Sequence, residues 1–591
     1  MDLLVFTYSE WYIIVREDLT LINLRGGIKM KKSSLAVALA AAMVVGMVGC
    51  GGSSSKPESS TGSDAAAVAG SGSDLNVMME TPVQSLDPQL ATDGTSFEVI
   101  ADFTDGLMQM DKDGQPIPAI AESYEVSEDG LTYTFHLRDA KWSNGTPVTA
   151  ADFVFAWQRA VDPNVASEYS YMMSDIGQIK NADEIIGGAK DKSELGVTAV
   201  DDKTLKVELV APVSYFLSLM YFPTFYPVNE EFYKSVGDSF ATSPDTVLSN
   251  GAFVLDDYQP AATAFHLTKN EDYWDAGRVK LAGLNYQVIQ DSQQALMNYQ
   301  TGALDTTLIN GDQVDQVQGD EAFQAIGAGY LWYVSPNISK VKELANLNIR
   351  MALTMAINRE AITKDVLKDG SAPTYTAVPM DFATGPDGTD FSADQTKYAD
   401  VCAFDADKAA EYWAKGLEEL GIKELKLEMV VDDDDAPKKV AQVLKEQWET
   451  TLPGFTVTLK TEPKKQRVND LENYNYQLGL TRWGPDYADP MTYLGMWLTE
   501  KDPEHKHNNY GRWSNAEYDE IIKDCTTGKL STDPQARWNA LYDAEKIVMN
   551  DAAIFPLYTQ CNAEMISPSV TGIEFHPVAL NRVFKNAVKS E

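Results

Sequence analysis

Cys50 stands where an apolar run, residues 35–48, ends in Gly49-Cys50-Gly51-Gly52; the run itself follows Lys31-Lys32-Ser33-Ser34. Two lysines, an apolar run too short to span a bilayer comfortably, a small residue and a thiol have the order of an export signal ending in a lipidation site. A core helix with a stray cysteine is the competing reading. Residues 53–73 weigh against it, from Ser53-Ser54-Ser55-Lys56-Pro57-Glu58 to Ser71-Gly72-Ser73, because that composition cannot bury a core. The expectation is a signal peptide over 30–49, a diacylglycerol thioether on Cys50 and a flexible linker over 50–73. Two long chains at about 0.8 kcal/mol per buried CH₂ would make a firm anchor. Met30 is well placed to start such a signal, so residues 1–29 read as a mis-assigned N-terminal extension.

Three further stretches invite a chemical reading. Asp432-Asp433-Asp434-Asp435 could hold a cation, but it lies between a strand and the first turn of a helix carrying Pro437. Carboxylates complement the helix dipole there and Asp435 can cap, which is the simpler reading. His505-Lys506-His507 resembles a metal clip with no third ligand nearby, and five histidines in the chain suit a catalytic zinc site poorly. Thr481-Arg482-Trp483-Gly484-Pro485-Asp486-Tyr487 follows an apolar strand-like run, 476–480, and turns through Gly-Pro into an acid beside aromatics. From residue types alone, Asp486 either stabilises that turn or faces a ligand. No G-x-S-x-G, Walker A or H-E-x-x-H occurs, so holding a ligand is favoured over transforming one.

Composition narrows the partners. Residues 1–49 hold 5 of the 48 basic and 4 of the 87 acidic side chains, so the remainder carries 43 against 83, a net charge of −40. That argues against nucleic acid and anionic lipid, which need basic footprints, and could attract cationic solutes. Cys402, Cys525 and Cys561 are too widely spaced for a disulfide scaffold, leaving room for one bridge in an exported protein. The length calls for two or more lobes.

The elements that must position these residues alternate strand and helix from Asp74 onward, an α/β chain. Residues 131–137 alternate apolar and polar after the turn Ser127-Glu128-Asp129-Gly130, which predicts a hairpin over 124–137. Thr149 is placed to cap a helix burying Phe153, Ala156, Trp157 and Ala160. Residues 205–209 form another strand, while 344–368 read as one long helix and 405–420 as a second. A strand at 425–431, a helix at 437–450 and a strand at 455–459 make a βαβ-like unit.

Several segments then point to one family: Ser85-Leu86-Asp87-Pro88, Asp105-Gly106-Leu107, Ala121-Glu122-Ser123-Tyr124, and Phe135-His136-Leu137-Arg138. Lys141-Trp142-Ser143-Asn144-Gly145-Thr146-Pro147-Val148-Thr149-Ala150 leading into Asp152-Phe153 is the most specific. With Asn250-Gly251-Ala252-Phe253, Tyr273-Trp274 and the stretch from Arg350 to Arg359, they resemble the oligopeptide-binding members of the family 5 extracytoplasmic solute-binding proteins that feed ABC importers. The resemblance covers nearly all of 74–585.

It implies a two-lobed periplasmic-binding-protein-like clamshell of type II with an extra subdomain. Lobe 1 would comprise 74–103, 229–332 and the return over 559–591; the subdomain would be 104–228 and lobe 2 333–558. It further implies a monomeric carrier without enzymatic activity, cofactor or metal, on the outer face of the cytoplasmic membrane. Such a carrier captures oligopeptides largely independent of sequence and delivers them to the importer's permease subunits. In this family the residue matching Asp486 pairs with the peptide's amino terminus, and the backbone matching Arg482, Trp483 and Gly484 pairs with the peptide strand. Asp93-Gly94-Thr95-Ser96 would supply a facing strand through Thr95, Asn250 and Gly251 backbone contacts near the lobe interface, and Tyr169 either a pocket wall or ordinary packing. The chain departs from some relatives in having Gly484 and Trp332 in place of bridged cysteines. It also has Leu480 where some carry an arginine for the peptide's carboxyl end. Carriers of nickel chelates, haem or oligosaccharides share the family, and Trp332, Trp483 and Trp497 keep a sugar ligand open. An exported hydrolase is the remaining alternative, without a visible catalytic pair.

Overall fold

Alternating burial along Thr132–Leu137, with Tyr133, Phe135 and Leu137 inward, sets one sheet face against the core. This computed structural model describes residues 72–112, 114–500 and 508–590, with three short N-terminal strands. Those strands, Leu3–Thr7, Glu10–Val15 and Thr20–Asn23, form an antiparallel meander in a unit of their own. Cys50, the run before it, the linker to residue 71 and His505-Lys506-His507 lie outside the described residues.

The main body is built on one mixed sheet. In spatial order its strands are Phe253–Asp257, Ala264–Lys269, Gly283–Val288, Leu75–Met79, Thr306–Ile309, Phe555–Ile566, Phe323–Pro336, Leu478–Trp483, Leu425–Asp432 and Phe455–Glu462. Each half has a parallel core: Gly283–Val288, Leu75–Met79 and Thr306–Ile309 in one, the last three strands in the other. Two long antiparallel strands, Phe323–Pro336 and Phe555–Ile566, run through both halves. From Phe323 to Gly327 the first of them pairs with residues 565 back to 561. After a register break, Leu331 onward pairs with Thr559 and also with Trp483. The break holds Gly329 at φ +71°, and a Cβ there would run into the carbonyl of Pro577. Gly329→Ala is expected to destabilise the protein by about 1–3 kcal/mol, read as a lowered thermal-unfolding midpoint.

Local patterns produced the expected elements where neighbours in sequence satisfy each other. Ala121–Val126 pairs antiparallel with Thr132–Leu137 in a four-stranded sheet completed by Thr204–Glu208 and Val197–Asp201. Thr149 and Asp152 cap the Ala150–Val161 helix reciprocally, and the Asp152 carboxylate accepts from Thr149 N (2.9 Å) and Trp142 Nε1 (3.1 Å). Phe153, Ala156, Trp157 and Ala160 are fully buried. The parallel strands Leu425–Asp432 and Phe455–Glu462 flank the Asp435–Thr451 helix as a βαβ unit.

Two readings need correction. The long helix over 344–368 is broken after Leu347–Met355, because Asn358 Oδ1 accepts from Ala361 N (3.1 Å) and starts a new helical segment at Arg359. An asparagine offers the backbone a partner that competes with helix continuation. In the Asp432–435 run, Asp435 is the first helical residue rather than the cap, and Asp432 is buried against Arg467 Nε at 2.7 Å. Cys402, Cys525 and Cys561 are free thiols.

Candidate functional site

Parallel strands direct their carboxyl ends toward a crevice, where the following loops supply ligand-facing groups. Here Leu75–Met79 runs into Glu80, Leu425–Asp432 into Asp434, Phe455–Glu462 into Lys464, and Leu478–Trp483 into Gly484 and Asp486. Residues from the 104–228 stretch close over this edge. Tyr171 Oη donates to Asp486 Oδ2 at 3.2 Å, and the Tyr215 ring stacks on Tyr487 with centroids 4.5 Å apart.

Asp486 is the most unusual group at this edge. Its backbone N–H donates to Thr492 Oγ1 (3.1 Å), and its side chain is 7% exposed. Among the described residues no lysine, arginine or histidine forms an ion pair with it, and desolvation pushes its pKa up to about 7 against the weaker pull of the Tyr171 hydrogen bond. Asp489 shows the contrast: equally buried, it is gripped by Arg537 through two 2.8 Å bonds. The phenols of Tyr169 and Tyr493 are held well above their ordinary range by burial and by the nearby Asp486 charge. Asp486 is thus a buried carboxyl with tyrosines about it and no cationic partner among the described residues.

The strand leading to Asp486 has one open edge. On one side Trp483 pairs with Leu331 and Arg482 with Trp332. On the other, Leu425–Asp432 covers only Leu478 and Gly479 before it turns away into the Asp435–Thr451 helix. From Leu480 to Trp483 this edge has no strand neighbour among the described residues. Unpaired backbone groups enclosed by protein are a template for an added strand. Trp483 also presents a buried indole N–H without an acceptor among the described residues. Arg482 lies 4.4 Å over the Tyr330 ring and donates to Gln560 Oε1 (2.8 Å), which accepts from Trp332 Nε1 as well (2.9 Å). At Gly484 a Cβ would enter the Tyr330 ring. Gly484→Ala is therefore expected to displace Tyr330 and weaken ligand capture by about tenfold or more, measured as a dissociation constant.

The other anticipated residues divide. Tyr169 packs among aromatic rings near the acid: it stacks on Phe222 (5.2 Å), meets Phe97 edge-on (5.6 Å) and lies within reach of the Asp486 charge. Asp93-Gly94-Thr95-Ser96 is not a strand. Asp93 accepts from Ser96 N (3.0 Å) and Oγ (2.7 Å) and caps the Gly94–Phe103 helix, leaving Thr95 in its first turn with Oγ1 3.2 Å from Thr81 Oγ1. The backbone N–H groups of Asn250 and Gly251 both go to Phe103 O at 3.0 Å, and Asn250 Oδ1 accepts from Asp105 N at 2.8 Å. A Cβ on Gly251 would meet the Phe103–Thr104 backbone at 2.7 Å, so this pair fastens the chain instead of offering donors. Tyr171, Tyr330, Tyr493, Glu80 and Lys464 were not anticipated. Their distant segments converge only in the fold, although Tyr171 lies two residues from Tyr169.

Comparison with known proteins identifies the family and the fold. Residues 115–504 match the family described as bacterial extracellular solute-binding proteins, family 5 Middle. A dipeptide-binding protein of Lactococcus lactis is 34% identical over 529 residues, covering 87% of this chain and 94% of the relative. The solved structure of Listeria monocytogenes OppA bound to peptide superposes with a TM-score of 0.77 at 35% identity, covering 88% of this chain and 99% of that one. The substrate-binding domain of an oligopeptide ABC transporter from Bacillus anthracis gives 0.78 at 38% identity, covering 88% and 98%. With parallel strand ends converging on a crevice and two long strands joining its halves, this chain belongs to the family 5 bacterial extracellular solute-binding proteins and has their two-lobed α/β clamshell fold.

Proposed function

We propose that this chain captures peptides outside the cytoplasm for an ABC importer, tethered to the outer face of the membrane through a lipid on Cys50. The observation that carries the reading is Asp486: a buried carboxyl with no cationic partner among the described residues, at the end of a strand edge that none of them covers. A carrier that ignores peptide sequence has to read what all peptides share, namely backbone N–H, backbone C=O and terminal charges. The open edge at Arg482, Trp483 and Gly484 suits the backbone, and Asp486 suits the ammonium. Ligand side chains would lie among Tyr169 and its aromatic neighbours, with water filling what they leave.

Closing around the ligand excludes water and strengthens the ion pair. Delivery follows when the importer favours the closed, loaded form, since ligand and importer then bias one state. The relatives support this reading by what they are named for: dipeptides in Lactococcus lactis, a peptide complex in Listeria monocytogenes, an ABC transporter in Bacillus anthracis. Lobe assignments of 74–103, 229–332 and 559–591 against 333–558 place the junctions close to the register break at Gly327–Leu331. Native mass spectrometry of protein purified from rich medium tests the reading. A ladder of bound masses differing by amino-acid residues is expected; hexose-spaced masses or a solely empty protein would overturn it.

A further inference from the structure

Asn-Gly occurs at 144–145, 250–251 and 310–311. Such a pair can cyclise, because glycine has no Cβ to keep its backbone nitrogen from reaching the preceding carboxamide. The fold decides which pairs are free to do so. Asn250 is 1% exposed; its Oδ1 accepts from Asp105 N (2.8 Å), its Nδ2 donates to Asp105 O (3.3 Å), and Gly251 N donates to Phe103 O. Asn310 starts the Gly311–Val317 helix, with Oδ1 accepting from Gln313 N (3.3 Å) and Nδ2 donating to Ser292 Oγ (2.7 Å). Both of these carboxamides are held at each end.

Asn144 differs. It lies in a stretch exposed at every position from Ser143 to Pro147, at the tip of a turn closed by Trp142 N donating to Thr146 O (2.8 Å). Its Nδ2 has no acceptor among the described residues, whereas its Oδ1 accepts from both Thr146 N (3.0 Å) and Thr146 Oγ1 (2.6 Å). Gly145 sits at φ +84°, with nothing within 4 Å of where a Cβ would stand. The leaving nitrogen thus faces water, and two donors are already aimed at the oxygen on which charge develops during attack at Cγ. The Gly145 N–H donates to Trp142 O (2.8 Å), a bond that water can replace when an exposed tip opens locally.

We propose that Asn144 is a site of spontaneous covalent modification, converting to aspartate and isoaspartate while Asn250 and Asn310 remain amides. The Gly145 nitrogen gives up its proton to solvent base and attacks Asn144 Cγ. The N–Cγ bond forms, the Cγ–Nδ2 bond breaks, and Nδ2 takes a proton and leaves as ammonia. One water then opens the resulting succinimide at either carbonyl. Opening at the former side-chain carbonyl gives aspartate; opening at the backbone carbonyl gives isoaspartate, with the main chain rerouted through Cβ and Cγ. One water enters and one ammonia leaves, without oxidant or reductant. The longer main chain of isoaspartate shifts the register of the two Trp142 bonds across the turn, beside the link from Ser143 N to Ser249 O (2.7 Å).

The test incubates the folded full chain in mildly alkaline buffer and follows each Asn-Gly peptide by mass spectrometry, with a parallel sample unfolded in guanidinium. Residue 144 is expected to convert in the folded protein, and 250 and 310 only in guanidinium. Thr146→Val removes one of the two donors and should slow conversion at 144 by about threefold or more. Intact amides at 250 and 310 show that this variant is folded. Conversion at 144 confined to the unfolded sample, or equal conversion at all three pairs in the folded one, overturns the proposal. An unchanged rate in Thr146→Val overturns the part assigned to the hydroxyl.

Discussion

Asp486→Ala is expected to weaken binding of a free-amine peptide by about two to three orders of magnitude and to leave its N-acetylated analogue almost unaffected. The magnitude follows from the environment. Removing one partner of a buried ion pair costs about 3–5 kcal/mol, since the remaining charge stays desolvated. In the variant the stranded charge is the peptide's ammonium, enclosed by Tyr171, Tyr169 and Tyr493. The acetylated peptide brings no charge and loses only a hydrogen bond. Isothermal titration with the two peptides separates the cases, and equal loss for both rejects the amine anchor.

Affinity for free-amine peptides is expected to fall by up to about tenfold per pH unit as pH drops below 7, with N-acetylated peptides nearly flat. Burial disfavours the charge of the Asp486 carboxyl and pushes its pKa up to about 7. A bound ammonium favours the ionised form and lowers that pKa. Below 7, binding must therefore expel a proton, and affinity decreases with acidity. The upper limit is the peptide's own amine, which deprotonates at about pH 8, so affinity peaks between roughly 7 and 8. Dissociation constants measured from pH 5.5 to 8.5 check this, and a flat profile for free-amine peptides would contradict it.

The same group affects stability with the opposite sign to an ion-paired acid. Its folded pKa lies above the unfolded value, so between about 4 and 7 the folded state binds more protons and loses stability as pH rises. Above 7 the folded protein carries the whole penalty while the carboxylate stays buried. Asp486→Asn should therefore raise the thermal midpoint of empty protein at pH 8 while abolishing amine recognition. A midpoint unchanged at pH 8 would mean that the empty cleft opens and rehydrates the carboxylate before the protein unfolds.

Much of the scaffold was legible because its elements satisfy themselves over short distances. Ser127-Glu128-Asp129-Gly130 turns one strand onto the next, and Thr149 and Asp152 cap the helix they begin. The misreadings arose where a side chain outcompeted the pattern. Asn358 interrupted an apolar periodicity that otherwise reads as continuous helix, and Asp93 turned an anticipated strand into a helix start. At the candidate site, Asp486 and the strand before it stood out in sequence, and Tyr169 lies within reach of the Asp486 charge. The sequence did not show that the backbone N–H groups of Asn250 and Gly251 go to Phe103, about 150 residues away in the chain.

Sequence alone determined that this chain is α/β, that it resembles a solute carrier, and that an acid follows a strand through a Gly-Pro turn. It could not determine which acid lacks a cationic partner among the described residues. Asp486 and Asp489 lie three residues apart in one motif, yet Arg537 reaches one and Tyr171 the other, from opposite directions along the chain. Periodicity and capping are properties of adjacent residues and can be read in order. Desolvation and charge pairing are sums over whatever the fold brings near, and here those neighbours come from segments up to 315 positions apart.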